Sequence, residues 1–132
     1  MFLVDTNIWL EELLEQDRSK EVSDFLSRIP SDQLYISDFS YHSIGVIFSR
    51  LKKMNVFTVF TEEVLLDSGV NLVRLAPAGM IAIPGLCKEH GFDFDDAYQY
   101  AIAEAYGLDI VSFDHDFDRT GRGRKEPGDI GM

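Results

Sequence analysis

The chain has 132 residues, of which 45% are hydrophobic and 27% are charged, so it is neither disordered nor long enough for two domains. Its net charge of −11 gives no long-range attraction for nucleic acid, which argues against a protein that only binds nucleic acid. No apolar stretch is long enough to cross a bilayer, no signal peptide is recognisable, and the single cysteine cannot form an internal disulfide, so we expect a cytoplasmic protein without membrane contact.

The first half of the chain predicts two strands, each followed by helices. Strands are expected at residues 2–4 and 33–37, and helices from about residue 6, over 20–28 and from 38 to about 53. Thr6 or Asn7 is the expected cap of the first helix. Pro30 stops the second helix, and Asp38 caps the third.

The second half continues this alternation. We expect a short helix opened by residues 61–63, a strand at 70–75, a helix from 77 to about 90, a helix over 97–106 and a last strand at 108–113. Pro84 is expected to kink or split its helix, and Gly107 to end the next one. The pattern predicts a single α/β domain, residues 1–132, with a mostly parallel sheet. Residues 118–132 are polar and rich in glycine and arginine, and we expect them to form a flexible arm.

Three acidic residues stand where strands end or helices begin: Asp5, Asp96 and Asp114. A single aspartate in such a place is usually a helix cap or a turn residue, and Asp95 fits that role. Three such residues together indicate a shared site, because the carboxyl ends of parallel strands meet at one edge of a sheet. Carboxylates gathered there repel one another unless a cation lies between them, and Mg²⁺ or Mn²⁺ prefers oxygen ligands. The sequence therefore predicts a divalent-metal site at this edge.

Two other kinds of metal site match the sequence less well. Residues 114–118 resemble the start of a calcium-binding EF-hand loop, but that loop needs glycine and glutamate where Arg119 and Lys125 stand. Cys87 and His90 have the spacing of half a zinc site, yet no second pair of ligands accompanies them. An oxygen-ligated metal is therefore the better prediction.

With these motifs the chain resembles the PIN domain family, and most closely the small VapC toxins of prokaryotic toxin–antitoxin pairs. Residues 2–7, Phe-Leu-Val-Asp-Thr-Asn, look like the family's first motif. Asp96 and Ala97 at the head of a helix look like its third, and residues 111–117 look like its fourth. The resemblance covers the whole chain in order and spacing. It implies a PIN-like three-layer sandwich, whose central, mostly parallel sheet of four to five strands is flanked by helices.

The resemblance also implies a function, that of an endoribonuclease that hydrolyses RNA phosphodiesters with Mg²⁺ or Mn²⁺ as cofactor. The implied site consists of the metal ligands Asp5, Asp96 and Asp114, the supporting acid Asp116, and the residues Thr6, Asn7 and Ser112, which order the carboxylates. The VapC toxins that the chain resembles pair with a small antitoxin protein, and many members of the family form homodimers. We expect the same partners here, and the crowding of aromatic residues between positions 39 and 60 favours a homodimer interface.

The chain departs from the family at the second motif, where a helix after the second strand usually carries a glutamate. Ile36 and Ser37 are present, but Ser43 occupies the position of the glutamate. We expect Ser43 to face the acidic cluster without adding charge to it. Asp38 lies five residues earlier, about 140° around the helix, and does not replace the glutamate. An alternative function is therefore a PIN-fold binding or regulatory protein whose nuclease activity is weak or lost.

Basic residues cluster near the carboxyl end of the chain. Arg119, Arg122, Arg124 and Lys125 are the candidates for contacts with the RNA backbone. Solvated surface charge is the competing interpretation of the same cluster.

Overall fold

The computed structural model describes residues 1–131 and contains a sheet of four strands in the order β3-β2-β1-β4, with every neighbouring pair parallel. The strands are β1 Phe2–Val4, β2 Leu34–Ser37, β3 Asn71–Val73 and β4 Asp109–Val111. Helices flank this sheet. The predicted α/β fold with a parallel central sheet is confirmed.

Seven α-helices accompany the strands in the described part of the chain. They are α1 Thr6–Leu13, α2 Ser19–Arg28, α3 Asp38–Arg50, α4 Met54–Phe60, α5 Pro77–Met80, α6 Ile83–His90 and α7 Phe94–Tyr106. The predicted long helix after β2 ends at Arg50, and α4 after it was not predicted. The helix expected over 77–90 is split into α5 and α6, as Pro84 predicted. Pro84 lies in the first turn of α6, where its missing N–H costs nothing.

The hydrophobic core has two parts, one on each face of the sheet. Successive residues of a strand point to opposite faces, so each strand contributes to both parts. Leu3 and Ile110 pack in one cluster, whereas their neighbours Val4 and Val111 pack in the other. All four side chains are buried. The short strands are therefore held mainly by apolar contacts with the helix layers on both sides.

The carboxyl ends of three strands lie side by side at one edge of this sheet. β1 runs directly into Asp5, whose backbone N–H donates to Val111 O at the end of β4 (2.9 Å). β2 ends at Ser37, whose side chain accepts from the Ser40 N–H and so caps α3. The residues that follow these strands are thereby brought together.

A flexible arm was expected over residues 118–132, but residues 118–131 are instead packed against the domain, and residue 132 lies outside the described residues. Lys125 donates its backbone N–H to Ile110 O (2.8 Å) and accepts from the Ser112 N–H (3.0 Å), which adds a parallel bridge beside β4. Ile130 is buried. The polar composition suggested mobility, but the open edge of β4 supplies backbone partners that no local pattern reveals. Within residues 1–131, no helix combines the length and apolarity needed to span a membrane.

Candidate functional site

A cavity of about 200 Å³ lies where the strand ends meet. Four of the side chains that line it are acidic: Asp5, Asp95, Asp96 and Asp114. Asp5 follows β1 directly, while Asp95 and Asp96 form the first turn of α7. Phe39 on α3 provides an apolar wall. The three predicted acidic positions thus share one cavity, and Asp95, predicted as a cap, lines it as well.

Hydrogen-bond donors surround the buried carboxylate of Asp5. Its Oδ1 accepts from the Thr6 N–H and from Gln99 Nε2, both at 2.8 Å. Its Oδ2 accepts from Ser112 Oγ at 2.7 Å and from Asn7 Nδ2 at 3.5 Å. A carboxylate offers about four lone-pair positions, so the three short bonds leave room for one further partner. The Thr6 hydroxyl takes no part, since it donates to Ser40 Oγ instead (2.8 Å).

Three carboxylates form a tight cluster, because Asp96, Asp114 and Asp116 each place an oxygen within 4.8 Å of the others. The Asp116 N–H donates to Asp114 Oδ1 (2.9 Å), and the Asp114 N–H donates to Ser112 Oγ (2.9 Å). Asp116 is therefore as close to the cluster as the two predicted ligands beside it. Asp5 lines the same cavity but lies outside this cluster.

The acidic surroundings change the proton affinity of two of these groups. Burial raises the pKa of Asp96 to about 8, and the nearby charges of Asp114 and Asp95 act in the same direction. Burial also raises the pKa of Asp5, although its bonds to Ser112 and Gln99 oppose this shift. A cation beside such carboxylates would stabilise their ionised form, because it offsets the negative charge that burial disfavours.

The donor set fits a hard divalent cation. The clustered atoms are all carboxylate oxygens, and within residues 1–131 no histidine or cysteine joins a cluster of this kind. Mg²⁺ and Mn²⁺ prefer oxygen ligands, whereas zinc favours sulfur and nitrogen. Asp96, Asp114 and Asp116 are therefore the residues best placed to hold such an ion, with Asp5 at the adjacent wall.

Ser43 does not line the acidic cavity, contrary to expectation. It is half-buried on α3 and lies in a neighbouring groove with Phe39, Val46 and Ile47. Besides Phe39, the α3 residue that contacts the site is Ser40, one turn nearer the sheet, which bonds to Thr6 and Gln99. Three residues of helix rise by about 4.5 Å, which is more than a short serine side chain spans.

Asp38 also lies outside the cluster. Its Oδ1 accepts from the Tyr98 hydroxyl (2.7 Å) and from the Phe39 N–H (2.8 Å), so the carboxylate is held at the first turn of α3.

The basic residues near the carboxyl end already pair with acids of the chain. The ion pairs are Arg119 with Asp116 (3.0 Å), Arg122 with Glu104 (2.8 Å), Arg124 with Glu126 (2.6 Å) and Lys125 with Asp109 (2.9 Å). The chain has 23 acidic residues against 12 Lys and Arg, so acidic partners for these four side chains are plentiful. Of the four, Arg119 is the one whose partner belongs to the acidic cluster.

Gln99 is the buried residue in contact with Asp5 that the sequence did not predict. It is 3% exposed, it lines the cavity, and its amide donates to Asp5. Its position three residues after Asp96 puts it on the same face of α7, one turn further along. This spacing from Asp96 is the feature of the sequence that indicates a place for Gln99 in the site.

Comparison with known families finds a match to the PIN domain over residues 2–123. No curated protein matches the chain. Solved structures are similar along nearly the whole chain. FitAcB from Neisseria gonorrhoeae is 25% identical, with a TM-score of 0.77, and the match covers 98% of this chain and 100% of the other.

Two further structures are similar at lower sequence identity. A toxin–antitoxin complex from Klebsiella pneumoniae contains a chain that is 22% identical, with a TM-score of 0.76, matched over 98% of this chain and 100% of that one. VapC20 from Mycobacterium tuberculosis, described as a sarcin–ricin-loop cleaving toxin, is 17% identical with a TM-score of 0.77. That match covers 92% of this chain and 95% of the other.

Proposed function

The chain belongs to the PIN domain family, and from this premise we propose that it is a metal-dependent endoribonuclease and the toxin of a toxin–antitoxin pair. The observation that carries the proposal is the cluster of Asp96, Asp114 and Asp116, whose carboxylate oxygens lie within 4.8 Å of one another beside the Asp5 wall of the cavity. An oxygen-only cluster of this kind suits phosphodiester hydrolysis, in which negative charge builds on the phosphate.

The residues of the cavity have distinct parts in this proposal. When bound, Mg²⁺ or Mn²⁺ supplies positive charge against the phosphate and lowers the pKa of water. Asp96, Asp114 and Asp116 would hold the cation, with Asp5 beside them. Burial raises the pKa of Asp96 to about 8, and positive charge nearby would favour its ionised form. Ser112 orients Asp5 and Asp114 together, since its hydroxyl donates to one and accepts from the other.

The family and the surface support a proposed substrate and proposed partners. RNA is the proposed substrate, and a structural neighbour described as a sarcin–ricin-loop cleaving toxin supports it. Neighbours found in toxin–antitoxin complexes support a small antitoxin as partner.

The exposed apolar surface favours a homodimer. Four apolar side chains on or beside α3 and α4 are each nearly half exposed: Val46, Leu51, Met54 and Val59. A strict monomer in sedimentation experiments would contradict the proposed homodimer. A protein with this substrate and these partners is proposed to act in the cytoplasm.

Cleavage of single-stranded RNA by the purified chain tests the proposed activity. We expect cleavage with Mn²⁺ or Mg²⁺, none with EDTA, and recovery when the metal is restored. Asp114→Asn keeps the shape of the side chain but removes a charge of the cluster, so the rate is expected to fall by at least about 100-fold. Asp109→Asn is a matched control, because Asp109 pairs with Lys125 at the surface. Equal cleavage by both variants would contradict the proposal.

A binding or regulatory protein without cleavage is the second candidate. The serine at position 43 favours it, because it leaves the α3 side of the cavity without a carboxylate. Calorimetric titration with Mn²⁺ beside the cleavage assay separates the two functions. Metal binding without RNA cleavage would support the second.

A further inference from the structure

A buried polar network lies behind the acidic cavity. It comprises Ser37, Ser40 and Gln99, of which the serines are 0% exposed and Gln99 is 3% exposed. Buried polar groups are costly unless each finds a hydrogen-bond partner, and a methionine or leucine would fill this space at lower cost. A polar side chain in this place therefore calls for a reason beyond packing.

The partners of Gln99 fix the orientation of its amide. Its Oε1 accepts from Ser37 Oγ (2.6 Å), while its Nε2 donates to Asp5 Oδ1 (2.8 Å) and to Ser40 Oγ (2.9 Å). A flipped amide would set its carbonyl oxygen against the carboxylate, with no hydrogen between the two acceptors. The orientation that donates to Asp5 is therefore the one that satisfies every group.

Ser37 holds this orientation in place. Its oxygen accepts the Ser40 N–H at the start of α3 (3.0 Å), and its single hydroxyl proton goes to the Gln99 carbonyl. The network thereby connects the ends of β1 and β2 with α7. Ser112 holds Asp5 from the β4 side, so the two oxygens of the carboxylate are held from opposite directions.

We propose that Gln99 is a positioning residue for the metal site, which holds the Asp5 carboxylate in the cavity through an amide that Ser37 keeps oriented. This inference rests on the proposed metal-dependent function. Without Gln99, Asp5 Oδ1 keeps only the N–H of the adjacent Thr6. Ser112 still donates to Oδ2, but the carboxylate is less constrained about its broad terminal torsion. Removing a partner that orients a metal-binding carboxylate typically lowers metal affinity by about 10–100-fold.

Mn²⁺ affinity of the full chain, measured by calorimetry, tests the inference with Gln99→Met, which keeps length and volume but cannot donate. Tyr98→Phe is the matched control, since it removes a buried hydroxyl from the preceding residue of α7. That hydroxyl donates to Asp38 Oδ1 and accepts from the Leu75 N–H. We expect binding at least about 10-fold weaker in Gln99→Met and unchanged in Tyr98→Phe.

The outcomes are distinguishable. If the wild-type chain binds no Mn²⁺, the result contradicts the proposed function and therefore also the inference. A wild-type chain that binds, together with a Gln99→Met variant of equal affinity, overturns the inference alone. Equal weakening in both variants overturns it too, because general loosening of α7 would then explain the loss.

Ser37→Ala provides a second test that stands even if Gln99→Met fails to fold. It removes no contact with Asp5 and frees the amide to turn, so we expect a smaller loss of Mn²⁺ affinity in the same direction. Where both variants fold, the double variant should bind no more weakly than Gln99→Met, because both changes act through one amide. Unchanged affinity in Ser37→Ala, or additive losses in the double variant, would overturn the inference.

Discussion

At the residue scale, the buried carboxyl of Asp96 makes the metal-free protein sensitive to pH. Its pKa rises from 3.8 to about 8 on folding, so the folded chain binds more protons than the unfolded chain between these values. The free energy of unfolding therefore falls as pH rises from about 4 to about 8. The metal-free site is thus a source of instability at neutral pH.

Asp96→Asn is expected to remove this pH dependence. The variant lacks the buried charge that forms at higher pH, so it should be more stable than the wild type at pH 8 by about 1 kcal/mol or more. At pH 4 the two should be nearly equal. Thermal unfolding in EDTA across this range measures the difference. Parallel profiles for the two proteins would show that Asp96 does not titrate as expected.

Ser43→Glu is a second prediction at this scale. Side chains on a helix point back toward the preceding turn, so a glutamate at 43 extends past Phe39 toward the cavity, which serine is too short to reach. We expect Mn²⁺ affinity to rise several-fold, and only while Asp5 is intact. Unchanged affinity would mean that this position does not serve the site. Asp38→Ala is the control, and it should leave affinity unaltered because Asp38 bonds to Tyr98.

At the element scale, the carboxyl-terminal segment completes the sheet rather than forming an arm. Arg124 ties it down, since it donates to Ser112 O (3.0 Å) and pairs with Glu126 (2.6 Å) while its side chain is only 9% exposed. Arg124 and Arg18 hold the pKa of Glu126 below its ordinary value. A lowered carboxylate pKa stabilises the fold above about pH 4.5, and this stability is lost as pH falls further.

Arg124→Ala should lower the free energy of unfolding by about 2 kcal/mol at neutral pH, because it leaves Ser112 O and Glu126 with fewer partners. Lys125→Ala is the matched control, with an expected cost of about 0–1 kcal/mol, since its pair with Asp109 is half exposed on both sides. Urea unfolding measures the free energy of unfolding of both variants. The loss of stability in Arg124→Ala relative to the wild type should become smaller below pH 4.5. Equal costs for the two variants would contradict the tethering role of Arg124.

Some features of the site and of the sheet can be predicted from the sequence, and others cannot. Asp5 and Asp114 were found because each follows an apolar run, and the end of a parallel strand is a local signal with a fixed place in the fold. Gln99 was missed because a polar residue inside a helix usually faces water, and its partners on β1 and β2 are distant in sequence. The pairing of Lys125 with β4 was missed for a similar reason, since the open edge of a strand leaves no trace in the segment that covers it.

At the scale of the whole molecule, the acidic net charge opposes the proposed function. A net charge of −11 repels RNA, and the four basic residues near the carboxyl end are paired within the chain. The charge of a divalent cation in the cavity would turn this repulsion into local attraction for phosphate. The metal would then serve substrate binding as well as chemistry, which makes its location the central question.

Anomalous diffraction from a crystal soaked in Mn²⁺ answers that question most directly. We predict one peak in the acidic cavity, at a coordination distance of about 2.0–2.6 Å from carboxylate oxygens of Asp96 and Asp114, with Asp116 and Asp5 beside it. The peak should disappear in Asp114→Asn crystals treated in the same way. A saturating soak that leaves the cavity empty, or that places Mn²⁺ on other acidic residues of the surface, would contradict the proposed metal centre.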